Sequence, residues 1–163
     1  MQPSPNMSEQ LSLSTVFDAL HDQLLSQRWP SLLHVLAAEC ESQLDKDKLR
    51  KLMFRIGQRF AANQPLPACT TTQGLAEQLN ARWAAIQSGY VELTDENNSV
   101  RIAHHGSLLQ SFEVDALTWT CAFLQGSYQA WLDALEADAL SVVRIETSID
   151  SFVLEFRLLH LTA

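Results

Sequence analysis

The sequence predicts an α+β domain: four helices, then a ββαββ ending whose strands form one antiparallel four-stranded sheet with the helices on one face. Three observations predict it. Apolar residues recur at spacings of three and four as far as Ile86. The spacing shortens to two between Tyr90 and His104, and after one more helical stripe it returns to two between Leu140 and His160. A chain of 163 residues, 47% of them hydrophobic, is long enough to bury a core as a single domain.

Residues 1–12 are polar, carry Pro3 and Pro5, and are expected to form a flexible tail. Leu13, Val16, Phe17, Leu20 and Leu24 then mark a first helix, which Ser12 or Ser14 can cap. It stops at Gln27-Arg28-Trp29-Pro30, because the proline pushes Trp29 out of the helical region. Residues 13–30 therefore read as one helix and a break, and residues 31–163 as a single domain. Ser31 caps a second helix with Leu32, Leu33, Leu36, Cys40 and Leu44 on its apolar face. A third follows Asp45 or Asp47 and places Leu49, Leu52, Met53, Ile56 and Phe60 together, the clearest amphipathic pattern in the chain.

Pro65 and Pro67 forbid helix over residues 63–68 and predict an extended crossing. Thr70, Thr71 and Thr72 offer caps for a fourth helix, with Thr70 and Gln73 at capping-box spacing. That helix buries Leu75, Leu79, Trp83 and Ile86, and Gly89 stands where a left-handed residue ends it. Tyr90–Leu93 and Val100–His104 flank Asp95-Glu96-Asn97-Asn98 as a hairpin. Residues 106–116 read as a loop and residues 118–135 as a fifth helix, with Phe123, Leu124, Tyr128, Trp131, Leu132 and Leu135 inward. Residues 140–149 and 152–160 close the chain as a second hairpin, turning near Asp150-Ser151. In its last strand Phe152, Leu154, Phe156 and Leu158 alternate with Val153, Glu155, Arg157 and Leu159. Both faces then look largely apolar, and the outer one asks for cover by another subunit.

The charge excludes several functions. A formal net charge of −8 opposes binding to nucleic acid, whose phosphates need a basic face, and to anionic lipid. The cluster Lys46, Lys48, Arg50 and Lys51 reads as a solvated helix face. No apolar run is long enough to insert into a membrane, and MQPSPNMSEQ lacks the basic start and apolar core of a signal peptide. Cys40, Cys69 and Cys121 have no CxxC spacing and read as reduced thiols, which suits the cytoplasm.

No residue pattern commits to catalysis, a metal or a cofactor. His104 and His105 are adjacent on a strand and so point to opposite faces; with His21, His34 and His160 they make no metal spacing and read as surface or half-buried side chains. Cys69 precedes a helix N-terminus, a setting that can activate a thiol, yet a small apolar residue after a proline crossing reads as packing. Glu39 and Glu41, and the carboxylates from Asp133 to Asp138, read as solvated faces. Gly126 inside a helix costs about 1 kcal/mol against alanine and marks a close approach of two elements. Trp119, Tyr128 and Trp131 around it are core aromatics at helical spacing, with sugar stacking as the alternative. Trp29, beside Gln27, Arg28 and Pro30 at a break, has donors that suit a carbohydrate or a subunit contact equally.

Leu49-Arg50, Gly57 and Arg59, the crossing Pro65–Pro67 with Cys69 and Thr71 or Thr72, Leu75, Leu79-Asn80-Ala81, Gly89, Arg101-Ile102-x-His104, Trp119 and Gly126-x-Tyr128-x-x-Trp131 follow one another in a familiar order. In that order and spacing, over roughly residues 31–160, the chain resembles the D subunit of bacterial cellulose synthase. The resemblance implies a non-enzymatic accessory subunit without a cofactor. It also implies dimers that assemble into a cylindrical octamer, with other synthase subunits and nascent β-1,4-glucan as partners. Such a ring is expected to organise synthase complexes or guide glucan chains for crystallisation. Family chains begin near Ser31, so residues 13–30 look like an addition. The family's N-terminal segment contacts glucan, which carries that role here onto Gln27, Arg28 and Trp29. The expected location is the cytoplasmic side of the inner-membrane synthase, with the periplasm as the alternative. A small acidic secretion chaperone binding an export substrate is the competing reading. A third is a ligand-sensing domain, since the ββαββ ending also resembles the small-molecule-binding domains of vesicle-tethering complexes.

Overall fold

A computed structural model describes residues 31–97, 99–107, 109, 114–135, 140–145 and 153–160. The stripe at residues 13–24, the Gln27–Pro30 break, Phe152 and the turn near Asp150 lie outside them. The elements are α1 (31–43), α2 (Lys46–Asn63), α3 (Thr72–Ala85), β1 (Tyr90–Glu96), β2 (Ser99–His105), α4 (Val114–Thr120), α5 (Ala122–Ala134), β3 (Leu140–Ile145) and β4 (Val153–His160). All strand pairs are antiparallel, and the sheet order is β1-β2-β4-β3.

Local chemistry explains the start of α2 and both ends of α3. Asp45 caps α2 by accepting from the Lys48 N–H at 2.9 Å. Thr71 caps α3 by accepting from the Gly74 N–H at 3.0 Å, one residue later than the capping box expected from Thr70. The left-handed residue ending α3 is Gln87, at φ 52°, rather than Gly89. The Ser88 N–H reaches the Trp83 carbonyl at 2.9 Å and the Gln87 N–H that of Ala84 at 3.1 Å, the two bonds of a Schellman ending. Gly89, at φ 73°, does a different job. A Cβ there would lie 1.8 Å from the His105 carbonyl, so the entry to β1 can pass against the exit of β2 only without a side chain.

The β1–β2 pairing runs from Tyr90↔His105 to Glu96↔Ser99, so Asp95 and Glu96 belong to the strand and not to the turn. The segment expected as a loop up to residue 116 is already helical from Val114, and the helix expected over 118–135 is divided at Cys121 into α4 and α5.

Two helix faces are rotated from expectation. On α2 the buried line is Leu49, Gly57 and Ala61 with half-buried Met53 between, while Leu52 and Ile56 stay 39% and 42% exposed. The cause is α5. A Cβ on Gly57 would lie 2.0 Å from the Phe123 carbonyl, and one on Gly126 would lie 2.0 Å from that of Phe54. The two backbones touch through reciprocal glycines, and the Ser127 hydroxyl lies between two carbonyls, that of Phe123 in its own helix at 2.9 Å and that of Gly57 across the crossing at 3.2 Å. Backbone proximity, not side-chain size, chooses the face. On α1 the buried residue is Ala37, and Leu32 and Leu36, expected in the core, are both 55% exposed.

The core lies between α2, α3 and α5 and the inner sheet face. Trp83, fully buried, is its centre: Phe60 stacks on it at 5.5 Å between centroids, and His104, Trp131 and Tyr128 meet it edge-on at 5.0, 5.4 and 5.9 Å. A smaller cluster joins Ala37 of α1, Leu49 of α2, and Ala116 and Trp119 of α4.

Candidate interaction surfaces

The residues singled out in the sequence mostly build the core. The Asn80 amide donates to the Val91 carbonyl at 2.9 Å and accepts from the Val91 N–H at 2.7 Å. It thereby closes part of the outer edge of β1, which would otherwise offer free pairing groups. The Trp131 indole donates to the Gln64 carbonyl at 2.8 Å and the Arg82 guanidinium to that of Pro65 at 2.7 Å, which fixes the start of the crossing through Pro65 and Pro67. Cys69 is a half-buried free thiol beneath the first turn of α3, where a Cβ on Gly74 would meet its own Cβ at 3.6 Å.

His104 corrects the expectation of a surface or half-buried side chain. It is fully buried, because β2 sends alternate residues into the core. Its Nε2 faces the Ser88 carbonyl at 2.7 Å, which obliges that nitrogen to carry the proton and donate. Nδ1 then accepts from the Tyr128 hydroxyl at 2.6 Å. Burial holds the imidazole neutral, with its pKa lowered to about 4, and pushes the buried Tyr128 phenol well above its usual value. Both partners are satisfied within the protein. This is a structural bridge joining the α3 exit, β2 and α5, and it leaves neither ring nitrogen free for a metal. Among the described residues no group of three His, Cys, Asp or Glu side chains could hold an ion. Trp119, Tyr128 and Trp131, at 4%, 1% and 1% exposure, are core and offer no sugar platform. Gln27, Arg28 and Trp29 lie outside the described residues.

Among the described residues, exposed chemistry gathers in three places. On the outer sheet face, His105 stacks on Tyr90 with centroids 4.6 Å apart and planes within 6°. Arg101 pairs with Glu155, Arg157 with Glu96 at 3.3 Å, and His105 with Glu92 at 3.4 Å. The Arg101 hydrogen bond holds the Glu155 carboxyl below its usual range. The centre of this face is therefore charged, which corrects the reading of β4 as apolar on both sides. Only Val153 and Leu159 at its ends are apolar, Leu159 being 39% exposed. Charged residues at alternate positions, Glu92 and Glu96 on β1 and Glu155 and Arg157 on β4, were the signal for this, and strand pairing was needed to read it.

A second place is a groove of about 440 Å³ between α2 and α5, lined by Arg50, Lys51, Phe54, Arg55, Ala122 and Gln125. Arg50 is occupied there, donating to the Thr118 carbonyl at 3.1 Å. The third is the apolar flank of α1 and α2, with Leu32, Val35, Leu36, Leu52 and Ile56 exposed. Among the described residues no helix is long and apolar enough to cross a membrane.

A core-building set of landmarks with no assembled reaction centre among them is what a shared scaffold looks like, and comparison with known proteins identifies the scaffold. The model of the family described as the D subunit of cellulose synthase matches residues 15–157. The chain belongs to this cellulose synthase D-subunit family. The match takes in residues 15–30 as well as the α+β domain. A cellulose synthase operon protein D of Komagataeibacter xylinus is 31% identical over 103 residues, 61% of this chain and 66% of the relative's own length. Another from the same organism is 28% identical over 122 residues, covering 73% and 78%. Among solved structures, a trafficking protein particle complex subunit 3 from Naegleria fowleri, covalently bound to palmitic acid, aligns over 96% of this chain and 98% of that one at 12% identity and a TM-score of 0.46. The matched stretch spans just under two thirds of the length of the 31%-identical relative.

Proposed function

We propose that this chain is a non-catalytic accessory subunit of bacterial cellulose synthesis. It assembles from dimers into a ring-like octamer beside the inner-membrane synthase, on the cytoplasmic side. There it organises synthase complexes or guides nascent β-1,4-glucan so that the chains crystallise, with Gln27, Arg28 and Trp29 contacting glucan or a partner. The observation that carries the reading is the family match over residues 15–157. The surface supports it in kind. A sheet face that no helix covers among the described residues, with Tyr90 51% exposed and an ion-paired centre, suits a contact between copies that is polar and register-specific.

The decisive experiment replaces the gene in a cellulose-producing host. Deletion lowers cellulose crystallinity, and the wild-type chain restores it. A Tyr90→Lys, Leu159→Glu variant, whose two changes are both exposed, fails to restore it and shows a smaller mass than the eight-subunit wild type by light scattering. Unchanged crystallinity on deletion, or a wild-type protein that stays dimeric, overturns the proposal.

A further inference from the structure

The groove between α2 and α5 carries a charge opposite in sign to that of the whole chain. Among the described residues its lining is Arg50, Lys51, Phe54, Arg55, Ala122 and Gln125, with no carboxylate. Between Asp47 and Glu77 the sequence holds no acidic residue, while Lys48, Arg50, Lys51, Arg55 and Arg59 all fall on α2. Two of these cations are engaged. Lys48 pairs with Asp45 at 2.8 Å, and Arg50 donates to the Thr118 carbonyl at 3.1 Å. Lys51 and Arg55 are exposed and make no ion pair among the described residues. They stand one turn apart on a single ridge of α2, a spacing at which like charges repel. Arg59 continues that ridge by another turn, so the repulsion is repeated rather than relieved. Arg50 and Phe54 make the adjoining ridge, and Ala122 and Gln125 of α5 form the opposite wall.

We propose that this groove binds a small organic phosphate, a ligand with two or more negative charges joined to a flat ring. Volume decides against a larger occupant. The groove's 440 Å³ falls in the range of about 300–1,000 Å³ that holds drug-sized ligands. Three turns of a docked helix, about 10–12 Å across, would fill on the order of 1,000 Å³. Charge decides against a neutral ligand, since Lys51, Arg55 and the anchored guanidinium of Arg50 place three cations around this space. A di- or triphosphate answers them in few atoms, because each phosphate carries several acceptor oxygens and arginine can bind them through two parallel N–H groups. A carboxylate brings one charge only. Half-buried Phe54 and buried Ala122 supply the apolar part of the lining, against which a flat ring can lie. The net charge of −8 does not oppose so small a ligand, because charges farther away than about 8 Å are largely screened at physiological ionic strength.

Such a site gives the protein a small-molecule input separate from its outer sheet face, whatever number of copies assembles. The test is isothermal titration calorimetry of the full-length protein with magnesium-free ATP, tripolyphosphate and adenosine as probes. ATP saturates the site with a Kd of about 1 mM or tighter. Tripolyphosphate, which has the charge without the ring, binds at least about fivefold more weakly, and adenosine does not saturate. Lys51→Glu and Arg55→Glu, both at exposed positions that the fold tolerates, each weaken both phosphates at least about tenfold. Phe54→Leu weakens ATP about fivefold and leaves tripolyphosphate unchanged. The charge variants decide independently of it, since the ring of Phe54 is half-buried in the fold. Lys46→Glu removes an exposed cation of α2 outside the groove and changes neither affinity by more than about twofold. ATP that fails to saturate by about 1 mM overturns the proposal. So does tripolyphosphate that binds as tightly as ATP, which leaves a plain anion patch. A loss from Lys46→Glu as large as that from Arg55→Glu overturns it as well, because the groove then plays no part.

Discussion

The two faces of the sheet are built from the same strands and obey different physics. On the inner face Val91, Ile102, Leu154, Phe156 and Leu158 are almost wholly buried against an aromatic cluster, and the polar side chain among them, His104, has both ring nitrogens bonded. On the outer face Glu96, Arg101, Glu155 and Arg157 pair with charged neighbours across strands in view of water, and Glu92 lies beside His105. The inner face is where free energy is concentrated, since area removed from water and close packing act there without screening. The outer face contributes little to folding and much to recognition, because its charges can exchange protein partners for solvent at small cost. Stability and assembly are thus separable by face, and each can be damaged alone.

The largest separation is expected from the helix layer under the inner face. Gly126→Val places a side chain where the Phe54 carbonyl lies 2.0 Å from the first added atom. The expected loss is about 3 kcal/mol or more, the upper range for overpacking, and the protein is recovered insoluble. Phe156→Ala follows, at about 4 kcal/mol by urea denaturation, for a fully buried ring that meets Tyr128 at 5.5 Å. Leu159→Ala, farther along the same strand but facing out, changes stability by less than about 0.5 kcal/mol.

His104 sharpens the contrast through pH. Its pKa is about 4 in the fold and near the ordinary 6.5 in the unfolded chain, so between those values the unfolded state binds the extra proton. The associated stability is complete above about pH 6.5 and is lost as pH falls toward 4, a difference of about 3 kcal/mol. A His104→Gln variant is less stable at pH 7 but its urea midpoint loses this dependence, which parallel titrations of the two proteins will show. The ion pairs of the outer face, like Leu159, have a small effect. Arg101→Met with Glu155→Gln costs less than about 1 kcal/mol, and the difference shrinks further in about 1 M salt, as the screening of exposed charges requires. A double variant that unfolds the protein would erase the distinction between the faces.

Much of this was legible in the sequence for identifiable reasons. Period and breakers act locally, so the proline crossing, the α+β order, the strand sites near Tyr90 and Val100, and the opposite facing of His104 and His105 follow from the residues themselves. Gly126 could be singled out because glycine in a helix interior is locally unfavourable and needs a reason elsewhere. What this glycine touches could not be read. Its counterpart is Gly57, far back along the chain at the close crossing of α2 and α5, and their mutual approach turned α2 so that Leu52 and Ile56 left the core. The burial of His104 likewise depended on the Ser88 carbonyl and the Tyr128 hydroxyl arriving from two other elements. The charged outer face needed β1, β2 and β4 aligned before Glu96 could meet Arg157 or Arg101 meet Glu155. Among the described residues the sequence by itself determined the order of helices, crossing and strands, because propensity and periodicity are properties of neighbouring residues. Only the tertiary structure decided which face of each element is buried and which polar groups are satisfied, because backbone approach and hydrogen-bond pairing join residues that the chain keeps far apart.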